Sequence, residues 1–259
     1  RRRHTRLRTV TGVQTCALPI SPTASTTVLA RLRDLRATVV ECPRLDTDPP
    51  GDPCVLRFRE AVAGGAVPFG VQGTENAWCL DGGRTIGWEM ARHMEEVEVG
   101  PPLERVFVQV GGGAFAACLA AGFRMSGITP RLHAVQTEAC APLDRAWVRC
   151  ATVGGARTAA AHWDDCMWPW EHVGTTAADG ILDDETYDWL PVLEAMDDGH
   201  GAPVVVPERH VLEANVMAQQ VAGVDASHTG SAGLAGLLAL RAEVRPDERV
   251  AVVLSGIRR

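Results

Sequence analysis

VFVQVGGGAFAACLAAGFR, residues 106–124, holds the reading on which the fold turns. Val106–Val110 is a short apolar run rich in β-branched residues, and it meets three glycines, Gly111, Gly112 and Gly113. Ala114–Ala121 then favours a helix strongly. The order is buried strand, glycine loop, helix. Glycines remove the Cβ atoms that would hold a ligand off the backbone. The first N–H groups of the helix have no intrahelical acceptor and sit in positive dipole potential, so the loop suits an anion, phosphate above all. The spacing is neither GxGxxG nor GxxxxGK[ST], and it points to neither a dinucleotide nor a P-loop nucleotide site.

Working outward, the flanking segments repeat the same alternation. Thr26–Pro43 reads as an amphipathic helix running into a strand at Ala37–Glu41, and Asp46–Pro53 as a Pro/Asp/Gly connection. A helix follows at Val55–Ala63 and a strand at Ala66–Val71, so the rhythm predicts parallel strands with crossover helices. Gly73–Gly83 is turn-rich, and Arg84–Met94 reads as a helix with Thr85 as its cap. Beyond the glycine loop, strands are predicted at Arg131–Thr137, Val204–Val206 and Val250–Leu254. Helices are predicted at His210–Val221 and Ser227–Ala242. His162–Ala178, with Trp163, Trp168 and Trp170, reads as an irregular surface segment whose tryptophans serve packing or a subunit interface.

The 259 residues are 46% hydrophobic and 22% charged, enough for one large core or two domains. Residues 1–20 read as foreign to the fold. Val10–Ile20, VTGVQTCALPI, is a translation of a common sequencing-library adapter, and the arginine-rich residues before it fit the upstream part of the same oligonucleotide. The native coding sequence is therefore expected to enter at Ser21, as an N-terminally truncated piece. Leaving out the five arginines of that segment takes the formal charge from −7 to −12. An acidic chain of this kind is a poor partner for nucleic acid or an anionic membrane. Seven cysteines remain outside it, with no CxxC pair, which fits a reducing cytoplasm. All 25 basic residues are arginine. Chemistry that needs a lysine amine has no residue here to perform it.

Five segments in order carry a resemblance: VQVGGGAFAA (108–117), AVQTEACAPLD (134–144), AADG (177–180), SHTGSAGLAGLLAL (227–240) and VVLSG (252–256). They resemble the fold-type-II pyridoxal-phosphate enzymes, the family of tryptophan synthase β, threonine synthase, cysteine synthase and threonine/serine dehydratase. GGRTIGWEM (82–90) is similar to the segment where threonine synthase-like and dehydratase-like members re-enter the large domain, and LSGIRR to their C-terminus. The resemblance implies a three-layer α/β/α fold with a mostly parallel sheet. Residues 21–72 would be the remnant of the small domain and 73–259 the large cofactor domain.

It also implies roles. The backbone of Gly111, Gly112, Gly113, Ala114 and Phe115 would hold the phosphate of pyridoxal 5'-phosphate, with Ala114 standing where the family has a fourth glycine. Ser255 would bond the pyridine nitrogen, with Thr229 and Ser231 as rival hydroxyls. A neutral hydroxyl there suits elimination and replacement at the β-carbon. Glu138 and Asp144, six apart with the Pro142 carbonyl between them, match the cation site of dehydratase and racemase relatives. Solvated loop acids are the competing explanation. His162, Asp164 and Asp165 lack a further ligand at metal spacing, and His93 reads as a packed or solvated histidine.

No catalytic residue is assigned. The Schiff-base lysine and the Ser-x-Gly-Asn substrate loop of the family are expected upstream of Ser21, so the fragment is expected to be inert. The parent is expected to be a cytoplasmic homodimer acting on a small amino acid, as a threonine/serine ammonia-lyase-like or threonine synthase-like enzyme. Two other readings stay open. One is a non-catalytic relative that binds the cofactor or an amino acid. The other is an unrelated α/β phosphate-ligand enzyme, in which Glu138 would serve a ribose.

Overall fold

A computed structural model describes residues 17–22, 24–96 and 103–256. The chain divides into two compact units, Arg1–Val67 and Pro68–Arg259. In the first, strand β1 (Ala17–Ile20) pairs in parallel with β2 (Thr38–Glu41) across helix α1 (Thr26–Asp34). The described end of the segment read as foreign thus supplies a strand, while residues 1–16 lie outside the described residues. Helix α2 (Pro53–Ala63) starts where its sequence says it should. Asp52 accepts the N–H groups of Cys54 and Val55, and Pro53 at the first position has no N–H to leave unpaired.

The second unit runs α3 (Ala77–Gly83), α4 (Thr85–Glu96), β3 (Arg105–Gln109), α5 (Ala114–Met125), β4 (Arg131–Thr137), α6 (Pro142–Thr152), α7 (Ala156–Ala159), α8 (Trp163–Cys166), α9 (Trp189–Asp198), β5 (Val204–Val206), α10 (Glu208–Gln220), α11 (His228–Ala239) and β6 (Val250–Val252). The sheet order is β5-β4-β3-β6, and every pair is parallel. All five residues of β3 are buried, which explains why its sequence is a continuous apolar run rather than an alternating one. Val106, Val108 and Val110 pack to one face with Leu119 and Phe123 of α5, Leu143 of α6 and Trp189 and Leu193 of α9. Phe107 packs to the other face with Val211 and Ala214 of α10 and Ala232 and Ala235 of α11. Helices on both faces of a parallel sheet make three layers, an α/β fold.

Several local expectations are corrected. Ala66–Val71 forms no strand. Pro68 cannot donate to a ladder, and Val67, Phe69 and Val71 are exposed. Gly70 is held instead by Asn76 Nδ2 and Cys79 Sγ, which both donate to its carbonyl. Residues 68–72 accordingly belong with the second unit. The turn-rich stretch at 73–83 contains α3. The segment 162–178 is not all surface: Cys166 and Met167 are buried, and Trp163 stacks edge-on against the buried Trp189, with ring centroids 5.0 Å apart. Among the described residues all seven cysteines are free, and no helix is long and apolar enough to cross a membrane.

Candidate functional site

β3 ends at Gln109, and the chain turns through Val110–Gly113 into α5. Gly113 is the N-cap of that helix at φ +92°, a left-handed conformation that costs a residue bearing a Cβ about 1–2 kcal/mol. A Cβ there would also stand 2.9 Å from Thr186 Cγ2. No side chain caps α5, so its first N–H groups depend on whatever occupies the loop. The loop is pinned from behind: the Asp188 N–H donates to the Gly112 carbonyl at 2.8 Å. The Asp188 carboxylate in turn takes the Gly73 N–H, both oxygens at 2.9 Å. Burial raises the Asp188 carboxyl above its ordinary range, against the pull of the Gly73 and Thr74 N–H groups.

A cavity of about 350 Å³ opens in front of the loop. Gly111, Gly112, Gly113, Ala114 and Phe115 line it, and so do Gln109, Asp183 and Ser255. Ser255 reaches it because β6 lies beside β3 and runs out at the same end of the sheet. The Gln109 amide donates from Nε2 to the Ser255 hydroxyl oxygen. Its Oε1 is buried without a donor among the described residues. The rival hydroxyls do not line that cavity and have partners of their own. Thr229 Oγ1 accepts the Gly180 N–H at 3.0 Å, and Ser231 Oγ donates to the Ser227 carbonyl and accepts from Asn215.

Glu138 is exposed beyond β4, while Asp144 sits in the first turn of α6, its carboxyl raised by burial. Among the described residues no group of three or more histidine, cysteine or acidic side chains could hold a metal ion. His162 lies 3.4 Å from Asp165 at the surface, and His93 is exposed on α4. Trp168 and Trp170 flank the Arg145 guanidinium, 3.9 and 4.8 Å from the two ring centroids. Glu171 accepts from both Arg145 and Trp168. These tryptophans pack a cation within the fold.

Three residues of the site lie outside the sequence reading: Gln109, Asp183 and Asp188. Gln109 had a signal, since it is the one polar side chain in an otherwise apolar strand core just before a glycine loop.

Residues 9–256 match the family described as pyridoxal-phosphate dependent enzymes. Solved structures with the same fold include a threonine deaminase from T.th. (21% identity, TM-score 0.65, covering 94% of this chain and 70% of that one). Others are maize serine racemase (16%, 0.64, 93% and 65%) and the processed form of threonine deaminase isoform 2 from Solanum lycopersicum (16%, 0.68, 94% and 62%). The chain therefore spans roughly two thirds of these structures. No curated protein matches the chain.

Proposed function

The chain belongs to the family of pyridoxal-phosphate dependent enzymes, and from that premise we propose that it forms the cofactor-binding part of an enzyme for β-elimination or β-replacement on a small amino acid. Threonine/serine ammonia-lyase chemistry is the form we favour, because the fold neighbours include a threonine deaminase and a fungal L-serine ammonia-lyase from Rhizomucor miehei. A threonine synthase-like reaction is the second form. The family match removes the reading as an unrelated nucleotide-type enzyme. The observation that carries the proposal is the meeting of the uncapped glycine loop and the Ser255–Gln109 pair on one cavity.

The residues present fit the cofactor. Gly111–Phe115 would hold its phosphate through backbone N–H groups, with no Cβ between the glycines and the ligand. Ser255 would meet the ring nitrogen. Gln109 donates into the Ser255 oxygen, so the hydroxyl keeps its own proton to give to an acceptor. An unprotonated pyridine nitrogen is such an acceptor. When bound, pyridoxal phosphate supplies the electron sink that acidifies the amino-acid α-proton. Ser255 tempers that sink, because a neutral hydroxyl does not enforce a ring charge as a carboxylate would.

Nothing among these 259 residues is a lysine. The chain as given is therefore expected to bind the cofactor without covalent attachment to any side chain and to release no ammonia from threonine or serine. Absorbance titration with pyridoxal phosphate, borohydride reduction with peptide mass mapping, and an ammonia assay check the three points. No absorbance change would sink the cofactor assignment. A reduced adduct on an internal residue, or turnover, would sink the inertness.

Ser255→Ala is expected to weaken pyridoxal phosphate binding about three- to tenfold, the worth of one neutral hydrogen bond. Inorganic phosphate, which reaches only the glycine loop, is expected to bind as before. Equal losses for both ligands would place Ser255 outside the ring contact.

A further inference from the structure

The cavity in front of the glycine loop is also walled by the turn at residues 70–76, from which Val71 and Gln72 line it. That turn is clamped around Gln72. Before it, the Gly70 carbonyl accepts from Asn76 Nδ2 and Cys79 Sγ, both at 3.1 Å. The Gln72 carbonyl itself accepts the Glu75 and Asn76 N–H groups at 3.2 and 2.9 Å. After it, the Gly73 N–H is held between the two Asp188 oxygens. No larger residue fits that approach: a Cβ on Gly73 would stand 2.2 Å from Leu80 Cδ1 and 2.8 Å from Asp188 Oδ1. Asp188 also donates its own N–H to the Gly112 carbonyl. One residue therefore ties the turn to the glycine loop, and the backbone of Gln72 is fixed relative to that loop.

The side chain of Gln72 takes no part in this clamp. Its amide makes no hydrogen bond among the described residues. Its Nε2 stands 3.7 Å from where a Cβ on Gly112 would be, beside the anion loop. The described lining residues include no arginine and no histidine. Among them only Gln72 and Gln109 carry side-chain N–H groups, and Gln109 Nε2 already donates to Ser255. Gln72 is thus the one side-chain N–H donor of the described lining that the protein does not itself engage.

We propose that Gln72 is a binding residue for the phosphate at this loop: its amide donates to a phosphate oxygen and adds a side-chain donor to the backbone N–H groups of Gly111–Phe115. The proposal rests on the cofactor reading for the identity of the ligand, although a phosphate of any origin would meet the same amide. A phosphate monoester carries close to two negative charges at neutral pH on three strong acceptor oxygens. The N-terminus of α5 approaches such a group from one side. A neutral amide from a second segment meets an oxygen that the helix does not, and a hydrogen bond to an ionised acceptor is stronger than a neutral one. The clamp matters here as well. With the backbone of the turn already held, ligand binding has to order only the Gln72 side chain.

Three ligands offered to the intact chain test this: inorganic phosphate, pyridoxal phosphate, and pyridoxal, which lacks the phosphate. Gln72→Leu is expected to weaken the first two about tenfold, the worth of one hydrogen bond to a charged group, and to leave pyridoxal as before. Gln72→Glu sets a carboxylate against the phosphate and is expected to weaken both further, with the excess shrinking as salt is added. Melting temperatures of both variants are expected to match the unaltered chain, because the clamp uses backbone groups and Asp188. Ser255→Ala gives the opposite pattern, since it spares inorganic phosphate. In the unaltered chain carrying nitrogen-labelled glutamine, the Gln72 side-chain amide resonance is expected to move on addition of inorganic phosphate. A resonance that stays in place overturns the proposal, whatever the folding of the variants. So does undiminished phosphate binding in folded Gln72→Leu, or an equal loss for pyridoxal phosphate and pyridoxal. If Gln72→Leu weakens inorganic phosphate but pyridoxal phosphate binds the unaltered chain no better than inorganic phosphate does, the cofactor reading fails and the role of Gln72 stands. If pyridoxal phosphate binds tightly and neither variant changes it, the reverse holds.

Discussion

Gly230→Ala is expected to abolish cofactor binding and to lower stability by at least about 3 kcal/mol, the upper end of the cost of overpacking. The reason is a single close approach. A Cβ on Gly230 would fall 1.4 Å from the Ser255 carbonyl oxygen and 2.5 Å from its carbonyl carbon. Those are backbone atoms and cannot swing aside as a side chain can. Alanine favours a helix over glycine by about 1 kcal/mol, and Gly230 is inside α11. The collision outweighs that gain. Either α11 lifts from the sheet or residues 253–256 move, and in both cases the Ser255 N–H loses the Gly230 carbonyl at 2.9 Å and the Ser255 hydroxyl leaves Gln109. Thermal unfolding followed by circular dichroism, with a pyridoxal phosphate titration on the same sample, reads both effects. Normal affinity and melting in Gly230→Ala would show that the close approach of α11 to Ser255 is not what positions the site.

The same helix shows how far the sequence could be read. Gly230, Gly233 and Gly236 recur every third residue in SHTGSAGLAGLLAL. In the structure that stripe lets α11 settle on β3 and β4, with Phe107, Gln109 and Val135 against it. The motif is plain in one dimension, as are the apolar run of β3 and the glycines after it, because each is a local pattern with a local cause. The strand expected at 66–71 failed for a non-local reason. AVPFGV has β-like composition, but no neighbouring strand among the described residues offers it a ladder, and Pro68 weakens any that could form.

Helices α6 and α9 went unread for the opposite reason. Pro142 and Pro191 look like breakers, yet Pro142 is the first residue of α6 and Pro191 the third of α9, where a missing N–H costs nothing. Asp183 lies in an acidic run, LDDE. Only the return of that run to the glycine loop brings one of its carboxylates to the cavity. Sequence periodicity reports which face of an element is buried, not which distant loop a polar residue will meet.

The far end of the sheet carries the second large effect, one that involves no ligand. Arg105 opens β3 and Glu248 precedes β6. Their side chains are 3% and 2% exposed, with Arg105 Nε donating to Glu248 Oε1 at 2.6 Å. His133 completes the group. Its Nδ1–H donates to the Ala202 carbonyl at 3.1 Å, which leaves Nε2 to accept from Arg105 at 3.3 Å. The ring stacks on Phe107, centroids 4.8 Å apart. Removing one member of a buried ion pair strands the other charge, at a cost of about 3–5 kcal/mol. Glu248→Ala is therefore expected to lower the melting temperature on the order of 10 °C for a chain of this size. The paired change Arg105→Met with Glu248→Leu should restore most of that, because neither charge is left behind.

Acid should act on the same cluster in two stages. Burial holds His133 below its ordinary 6.5; the Ala202 contact works against this, while Arg105 and Arg131 add to it. Its neutral ring supports the fold fully above that value, and as pH falls below it the unfolded chain takes the proton first. Burial alone would raise the Glu248 carboxyl, but the hydrogen bonds from Arg105 and the Arg245 N–H outweigh it and hold the group below its ordinary 4.5. That contribution is complete above 4.5 and is lost as pH falls through the lowered value of the folded state. Melting temperature measured against pH should thus decline below 6.5 and again below 4.5. Glu248→Gln should shrink the second decline, leaving the share of other lowered carboxylates such as Glu104, and keep the first. A variant that retains both at full size would show that the acid sensitivity arises elsewhere, and that the Arg105–Glu248 pair is too well solvated to matter.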